Sequence, residues 1–231
     1  MDSSTLTWPH RNTMPFLPSS LISFPTMKLL YQTHSPYARK ALVFAHEAGL
    51  ASRIEVMHHE TSPTKRNEQV FAENPLGKVP VLLRPGLSPI FDSDVICAYL
   101  DTLHDGRKLI PVNGEARWQA LRVQAVAQGL ADAGIAVRWE TVRRPEALRH
   151  SLLRDGYIEK MTASYDWLER ELDVDDAVHV GHIAVATALS WIEFRELPDF
   201  REKRPRLSAW LDEFQGRPSM CATPLSGETQ D

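Results

Sequence analysis

Cysteine is scarce in this sequence, which has only two cysteines among 231 residues. Cys97 and Cys221 lie far apart and in no spacing typical of a metal site, so neither a disulfide framework nor a zinc site is expected. Two isolated thiols suit a reducing compartment, and we expect a cytoplasmic protein. Cys97 lies among apolar neighbours of a predicted helix and is interpreted as an inert core thiol.

Long hydrophobic runs and an excess of positive charge are also missing. The longest uncharged apolar stretch, residues 183–192, is about half of what a bilayer requires, so we expect no membrane span. A formal charge of -4 and a pI near 6.1 give no general attraction to phosphate backbones or anionic lipid. We therefore expect neither nucleic acid nor a membrane as a partner.

Residues 1–26 are rich in Ser, Thr and Pro and show no hydrophobic periodicity. We interpret them as a disordered or artefactual extension, with Met27 as the working start. A signal peptide is disfavoured because Pro15, Pro18 and Pro25 interrupt the apolar residues and no basic segment precedes them. A targeting role remains the alternative.

Residues 27–105 alternate between short apolar strands and amphipathic helices, in the order β-α-β-α-β-β-α. Pro89 lies inside the fourth strand and has no N–H to donate, so this strand is expected at the sheet edge. After a turn-rich linker at 106–114, residues 115–231 show helical periodicity only. The predicted helices cover about residues 115–140, 147–172, 182–194 and 204–215. The expected fold class is α/β plus all-α, with a sheet domain followed by a helical bundle.

The first candidate functional residue lies between the first strand and the first helix. Ser35 occupies the N-cap position and Pro36 the first helical position. Unpaired N–H groups and the positive end of the helix dipole favour a negative group beside Ser35. A capping serine is by itself usually structural, so this interpretation depends on two further motifs.

The second motif is the segment Asn74–Val81, with the sequence NPLGKVPV. A cis bond between Val79 and Pro80 would leave the Val79 N–H and C=O available to an extended peptide ligand. The third motif is Asp92–Ser93, at the end of the fourth strand. Its carboxylate suits an amino group, and its hydroxyl at a helix start suits a carboxylate.

Together, these three motifs on this strand pattern resemble the glutathione transferase family, from Met27 to about Pro224. The resemblance is to small bacterial members with an S-P-[FY]-x-R-K turn, here at 35–40, an A-x-G-x-x-D-A-G stretch, here at 127–134, and an Arg-Pro step, here at 144–145. It implies a thioredoxin-like, glutathione-binding domain at 27–105 and an all-helical domain at 115–231. It also implies glutathione as co-substrate and a homodimer.

The resemblance further implies a role for each motif. Ser35 would hydrogen-bond the glutathione sulfur, and Val79 would pair with the cysteinyl backbone. Asp92 and Ser93 would hold the γ-glutamyl end, and Lys78 is expected near the glycyl carboxylate. The implied glutathione-binding residues are Ser35, Lys78, Val79, Pro80, Asp92 and Ser93.

Other groups remain alternatives to Ser35 for the sulfur contact. Tyr31 ends the first strand, Tyr37 follows two residues after Ser35, and a contact from backbone or water alone is a further possibility. Because Ser35 and Ala38 stand where a thioredoxin or glutaredoxin presents Cys-x-x-Cys, dithiol exchange is disfavoured.

The first helix of the second domain is the expected wall of an electrophile pocket. Gly129 and Gly134 each cost a helix about 1 kcal/mol relative to Ala, so we expect close packing or a ligand near them. The resemblance implies that this part of the helix faces the sulfur across the domain cleft, so we place the pocket near Tyr37, Asp132, Ala136 and Trp139.

His179-x-x-His182 precedes the predicted core helix at 182–194. The pair lacks an evident third ligand, so a metal site is disfavoured. Many transferases place a Ser/Thr-x-x-Asp capping box here, and the two histidines leave the usual capping signal in doubt.

The leading hypothesis is a glutathione transferase with a role in detoxification. Bound glutathione would ionise against Ser35 and attack a small hydrophobic electrophile held between the domains. A glutathione-dependent peroxidase, isomerase or dehalogenase would use the same residues. A non-catalytic binding module on the same fold is the remaining alternative.

Overall fold

One mixed four-stranded sheet organises the first half of the chain. The computed structural model describes residues 26–229, so the predicted extension lies, except for Thr26, outside the described residues. The strands are β1 (Met27–Tyr31), β2 (Ile54–His58), β3 (Val81–Arg84) and β4 (Leu87–Phe91). Their spatial order is β2-β1-β3-β4, in which β1 and β2 are parallel and the other neighbours antiparallel. The edge position predicted for β4 from Pro89 is confirmed.

Three helices complete this half, namely α1 (Pro36–Glu47), α2 (Glu68–Glu73) and α3 (Ser93–Asp101). The resulting order is the predicted β-α-β-α-β-β-α. α2 has only six residues and begins after its N-cap Asn67, whose side chain accepts a hydrogen bond from the Val70 N–H.

The described residues after Asn113 form helices and no strand, which confirms the predicted fold class. The helices are α4 (Gly114–Arg138), α5 (Ser151–Glu171), α6 (Val180–Phe194), α7 (Pro205–Gln215) and α8 (Pro218–Cys221). α5 starts later than predicted, because Glu146–Leu148 forms a separate 3-10 turn and His150 caps α5. The domain boundary at 106–114 stays a prediction.

α6 is the centre of the helical half, and every residue from Val180 to Ile192 is buried. α4 packs closely against it at Gly134, where a Cβ atom would lie 2.8 Å from the Trp191 ring. Close packing therefore accounts for Gly134, whereas a Cβ at Gly129 would meet no atom within 4 Å. Within residues 26–229, no helix is both long and apolar enough to cross a membrane.

Two buried histidines cap α6. His179 Nδ1 accepts hydrogen bonds from the Gly181 and His182 N–H groups at 3.1 and 3.4 Å, and His182 Nδ1 accepts from the His179 N–H at 3.3 Å. His182 Nε2 donates to the Asp173 carbonyl at 2.7 Å, and the two rings stack at 3.8 Å. The capping box that the sequence left in doubt is thus present, built from two neutral imidazoles.

The two halves are joined through α1. Arg39 is buried, and its guanidinium donates to Ser190 Oγ at 2.6 Å and to the Met220 carbonyl at 3.3 Å. At the other end of α1, the Glu47 carboxylate accepts two hydrogen bonds from Arg217, at 2.9 and 2.8 Å. The helical half therefore fixes the helix on which the first candidate residue lies.

Candidate active site

All three sequence motifs lie at one end of the sheet. Val81 of β3 pairs with Leu30 of β1 on one side and with Phe91 of β4 on the other. Just beyond these pairs lie the turn after β1, the segment Val79–Pro80 before β3, and Asp92 after β4. Neighbouring antiparallel strands place these three segments side by side.

Ser35 begins α1 as its N-cap. Its Oγ accepts a hydrogen bond from the Ala38 N–H at 3.2 Å, and Pro36 takes the first helical position. The residue is only 8% exposed, and what it exposes lines the cavity described below. Because a hydroxyl that accepts a hydrogen bond still has its own O–H to donate, Ser35 can cap α1 and donate to a thiolate together.

The Val79 main chain is presented by a fixed loop. The bond between Val79 and Pro80 is cis, and Val79 makes no backbone–backbone hydrogen bond within the part of the chain described. Asn74 holds the loop, because its side chain donates to the Lys78 carbonyl at 2.9 Å and accepts from the Leu76 N–H at 3.0 Å. The Val79 N–H and C=O are therefore available to an extended ligand.

The Asp92–Ser93 motif forms the start of α3. Asp92 has a positive φ of 72°, and its carboxylate accepts from the Asp94 N–H at 2.7 Å. Asp94 forms an ion pair with the buried Lys40 ammonium, which also donates to Gln128 at 3.0 Å. The Ser93 hydroxyl is buried and has no hydrogen-bond partner among residues 26–229. A buried hydroxyl of this kind is suited to a ligand atom.

A cavity of about 720 Å³ opens between the two halves beside Ser35. The sheet half contributes, among others, Gln32, His34, Ser35, Tyr37, Lys78 and Val79. The helical half contributes, among others, Asp132, Ile135, Arg138, Trp139, Arg143 and Trp191. No group of three or more His, Cys, Asp or Glu side chains in the described ranges is arranged to hold a metal ion.

Six of the ten residues predicted for the site line this cavity, namely Ser35, Tyr37, Lys78, Val79, Asp132 and Trp139. Pro80, Asp92 and Ser93 are not among its lining residues and lie at the starts of β3 and α3. Ala136 lies on α4 but does not line the cavity, because its helix neighbours Ile135 and Trp139 face it instead. Which of these residues contact a ligand stays a prediction.

The two tyrosines are less suited than Ser35 to hold a thiolate. The Tyr37 hydroxyl donates to the Asp132 carboxylate, and burial together with this hydrogen bond raises the pKa of Tyr37. Tyr31 lies within β1 away from the cavity lining, and burial raises its pKa to about 12. The expectation that Ser35 makes the sulfur contact stays a prediction.

His34 is a cavity residue that the sequence analysis missed. It is 5% exposed, and neither ring nitrogen has a hydrogen-bond partner among the described residues. Its Nε2 lies 3.6 Å from a Glu60 carboxylate oxygen, and burial lowers the pKa of His34. The His34 carbonyl accepts a hydrogen bond from Trp191 Nε1 at 3.0 Å. α6 thus holds the backbone next to Ser35 directly.

Arg138 and Arg143 were also missed. α4 runs into a π-helical turn at Trp139–Arg143, closed by a hydrogen bond from the Arg144 N–H to the Trp139 carbonyl at 3.0 Å. This wider turn brings Arg143 to the cavity with Trp139. The spacing of Asp132, Ile135 and Trp139 along one helix face was the available signal for this wall.

Comparison with known proteins identifies relatives along nearly the whole chain. Residues 34–103 match the family described as glutathione S-transferase, N-terminal domain. An uncharacterized GST-like protein of Escherichia coli K12, YibF, is 30% identical over 204 residues, which cover 85% of this chain and 98% of YibF.

Solved structures show the same relationship. A glutathione transferase family member from Pseudomonas fluorescens Pf-5, with bound glutathione, is 35% identical and has a TM-score of 0.84. A second structure from that strain, with bound S-(propanoic acid)-glutathione, is 35% identical with a TM-score of 0.79. Both comparisons cover 87% of this chain and 100% of the other.

Proposed function

This chain belongs to the glutathione S-transferase family, and from that premise we propose that it acts as a glutathione transferase. Glutathione binds as co-substrate, and its activated thiol attacks a small electrophile held between the two halves. The observation that carries the proposal is the meeting of Ser35, the Val79 main chain and Asp92–Ser93 at one end of the sheet, beside the cavity.

The three motifs match the three parts of the tripeptide. The Val79 N–H and C=O pair with the cysteinyl main chain, as one strand pairs with another. The Ser93 hydroxyl and the α3 N–H groups take the γ-glutamyl carboxylate, and the Asp92 carboxylate takes its ammonium group. Lys78 lies one residue before Val79, on the side where the glycyl carboxylate extends.

Ser35 acts on the sulfur. A free thiol with a pKa of about 8.5 is mostly protonated near neutral pH, and each unit of lowering reflects ~1.4 kcal/mol of preferential binding of the thiolate. The Ser35 O–H and the N-terminal end of α1 supply such stabilisation. The thiolate is the nucleophile, and Ser35 remains a hydrogen-bond donor throughout.

Calorimetric titration of glutathione, with ultraviolet absorbance of the bound thiolate followed against pH, tests this role. We expect the wild type to bind glutathione and lower its thiol pKa, and we expect Ser35→Ala to return that pKa toward the free value. Ser35→Ala also removes a helix cap, at a cost of about 1 kcal/mol in stability. Ser35→Thr keeps both the cap and the donor and is the matched control.

The outcomes separate the hypotheses. If the wild-type protein does not bind glutathione at millimolar concentration, the proposed glutathione transferase activity is excluded. An unchanged thiol pKa in Ser35→Ala would remove Ser35 from the sulfur contact. Because peroxidase, isomerase and dehalogenase activities would use the same residues, turnover of a peroxide, a cis-enone and an organic halide should be measured beside transfer to an aromatic electrophile.

The proposed setting is detoxification of electrophiles in the cytoplasm by a homodimer. Sedimentation analysis of the purified chain tests the dimer, and a monomer at assay concentrations would exclude it.

A further inference from the structure

Positive charge dominates the lining of the cavity. Arg66 and Lys78 come from the sheet half, and Arg138 and Arg143 come from the helical half. Asp132 is the one carboxylate among the described lining residues, and it accepts the Tyr37 hydrogen bond. In a cleft with low-dielectric walls, such an excess attracts anions.

The two cations of the helical half are held in place. The Arg143 guanidinium lies 4.0 Å from the Trp139 ring centroid, and its Nη2 donates to Ser62 Oγ at 3.2 Å. Arg138 Nη1 lies 3.5 Å from Thr229 Oγ1. A stacked guanidinium loses little freedom when it binds a carboxylate, because its planar donors are already oriented.

A second layer extends this positive region behind the cavity. The Arg195 side chain is 3% exposed, and its Nε and Nη2 have no hydrogen-bond partner within residues 26–229. Its Nη1 pairs at 2.9 Å with Glu228, a carboxylate of the C-terminal segment that is 83% exposed. Glu60, which is half-exposed, has a carboxylate oxygen 3.6 Å from His34 Nε2. These two carboxylates lie at the surface, where solvent screens them.

His34 adds an unused polar group to the same region. It lines the cavity, it is nine-tenths buried, and both of its ring nitrogens lack a hydrogen-bond partner in the described part of the chain. Buried polar atoms nearly always have a hydrogen-bond partner, so the His34 imidazole on the cavity wall is suited to a polar group of a ligand.

We infer that the helical wall, defined by Arg138 and Arg143 with His34 beside them, binds a carboxylate on the electrophile. This inference rests on the proposed function and deepens it, because the substrate becomes an electrophile that carries a carboxylate, held in the cavity that Trp139 lines. With an organic halide, the thiolate sulfur forms a bond to carbon, the carbon–halogen bond breaks, and the halide ion leaves with its electron pair. The substrate carboxylate does not react and serves only for recognition.

The same cations have one alternative use, which is to hold a carboxylate of glutathione itself. Arg66 and Lys78 already lie on the sheet half, where the tripeptide binds in the proposal. The test must therefore compare glutathione with its S-substituted forms. A failure of the inference can then be told from a failure of the proposed function.

Two adducts of equal size provide the test. S-(2-carboxyethyl)glutathione carries a carboxylate on the sulfur substituent, and S-(2-carbamoylethyl)glutathione carries a neutral amide there. We expect calorimetry to give at least about tenfold tighter binding of the carboxylate by the wild type, as for a hydrogen bond to a charged group. This preference should shrink as salt is added. Equal affinities would overturn the inference without any variant.

Variants then locate the effect. Arg138→Gln and Arg143→Gln should each reduce the preference, and the double variant should abolish it while glutathione binds as before. Arg154→Gln is the control for net charge, because Arg154 is partly exposed on α5 and pairs with Asp155 at 2.7 Å, away from the cavity lining. A preference that survives the double variant would overturn the assignment.

Equal losses for glutathione and both adducts would also overturn it, because the arginines would then serve the tripeptide. Wild-type protein that fails to bind glutathione would instead refute the proposed function, and the inference with it.

Discussion

The imidazole capping box of α6 makes the fold sensitive to acid. All three cap hydrogen bonds end on an Nδ1 lone pair, of His179 or of His182, so each requires a neutral ring. Burial lowers the pKa of His179 from 6.5 to about 4, with the neighbouring His182 as a further cause. Burial also lowers the pKa of His182. Protonation of either ring removes the acceptor on which the cap depends.

The lowered pKa of His179 decides in which direction the stability of the fold changes with pH. Between about pH 6.5 and about pH 4 the unfolded chain binds a proton at position 179 that the folded chain does not, so stability is complete above this range and falls within it. For His179 alone, integration from about pH 7.5 to about pH 5 gives a loss of about 2 kcal/mol, with a limit of about 3 kcal/mol at lower pH. His182 adds to this loss. Asp176, 3.9 Å from His179 Nε2, is exposed and opposes it only in part.

Urea unfolding followed by circular dichroism at several pH values measures this loss. The double variant His179→Ser, His182→Asp replaces the two imidazoles with a hydroxyl and a carboxylate, which form a capping box that does not need neutral rings. Over the same pH range, we expect the free energy of unfolding of this variant to fall by about 2 kcal/mol less than that of the wild type. Only the change with pH is compared, because loss of two buried rings lowers stability at every pH. His58→Asn removes an exposed histidine and should leave the wild-type slope. If the free energy of unfolding changes equally with pH in the double variant and in the wild type, the capping histidines are not the cause of the acid sensitivity.

Two further predictions concern contacts between the halves. Trp191→Phe removes the hydrogen-bond donor to the buried His34 carbonyl, which should lower the free energy of unfolding by about 1–3 kcal/mol. Calorimetry should also show weaker glutathione binding. Unchanged affinity would contradict a role for α6 in placing the Ser35 turn. Arg39→Gln removes the guanidinium that links α1 to α6 and α8, so urea unfolding should show a free energy of unfolding lower by about 2 kcal/mol or more. As a control, Arg149→Gln changes an exposed arginine and should alter this free energy by less than about 0.5 kcal/mol.

The sheet half could be predicted from local chemistry. Pro89 lacks the N–H that an inner strand needs, and β4 is indeed at the edge. Ser35 before Pro36 is a strong helix start, and its side chain caps α1 as expected. Strand-edge and helix-cap signals depend on a few neighbouring residues, so they can be recognised without knowledge of the rest of the fold.

Which residues of α4 and of the π-helical turn face the cavity could not be predicted in the same way. Ala136 and Ile135 are neighbours on α4, and which of them faces the cavity depends on how α4 is rotated against α6, which Gly134 and Trp191 decide. The position of Arg143 depends on a π-helical turn for which the sequence carries no evident signal. Contacts between elements distant in sequence set both features, and helical periodicity alone does not contain them.

Contacts across the cavity hold the Ser35 turn and the start of α1 against the helical half. Trp191 holds the His34 backbone, the Tyr37 hydroxyl donates to Asp132, and Lys40 donates to Gln128. His34, Tyr37 and Lys40 surround Ser35 in sequence, so a shift of α4 or α6 moves the Ser35 turn as well as the wall of the cavity. Under the function proposed above, binding of the sulfur and selection of the electrophile are therefore not separable by domain, because one set of interface contacts positions both.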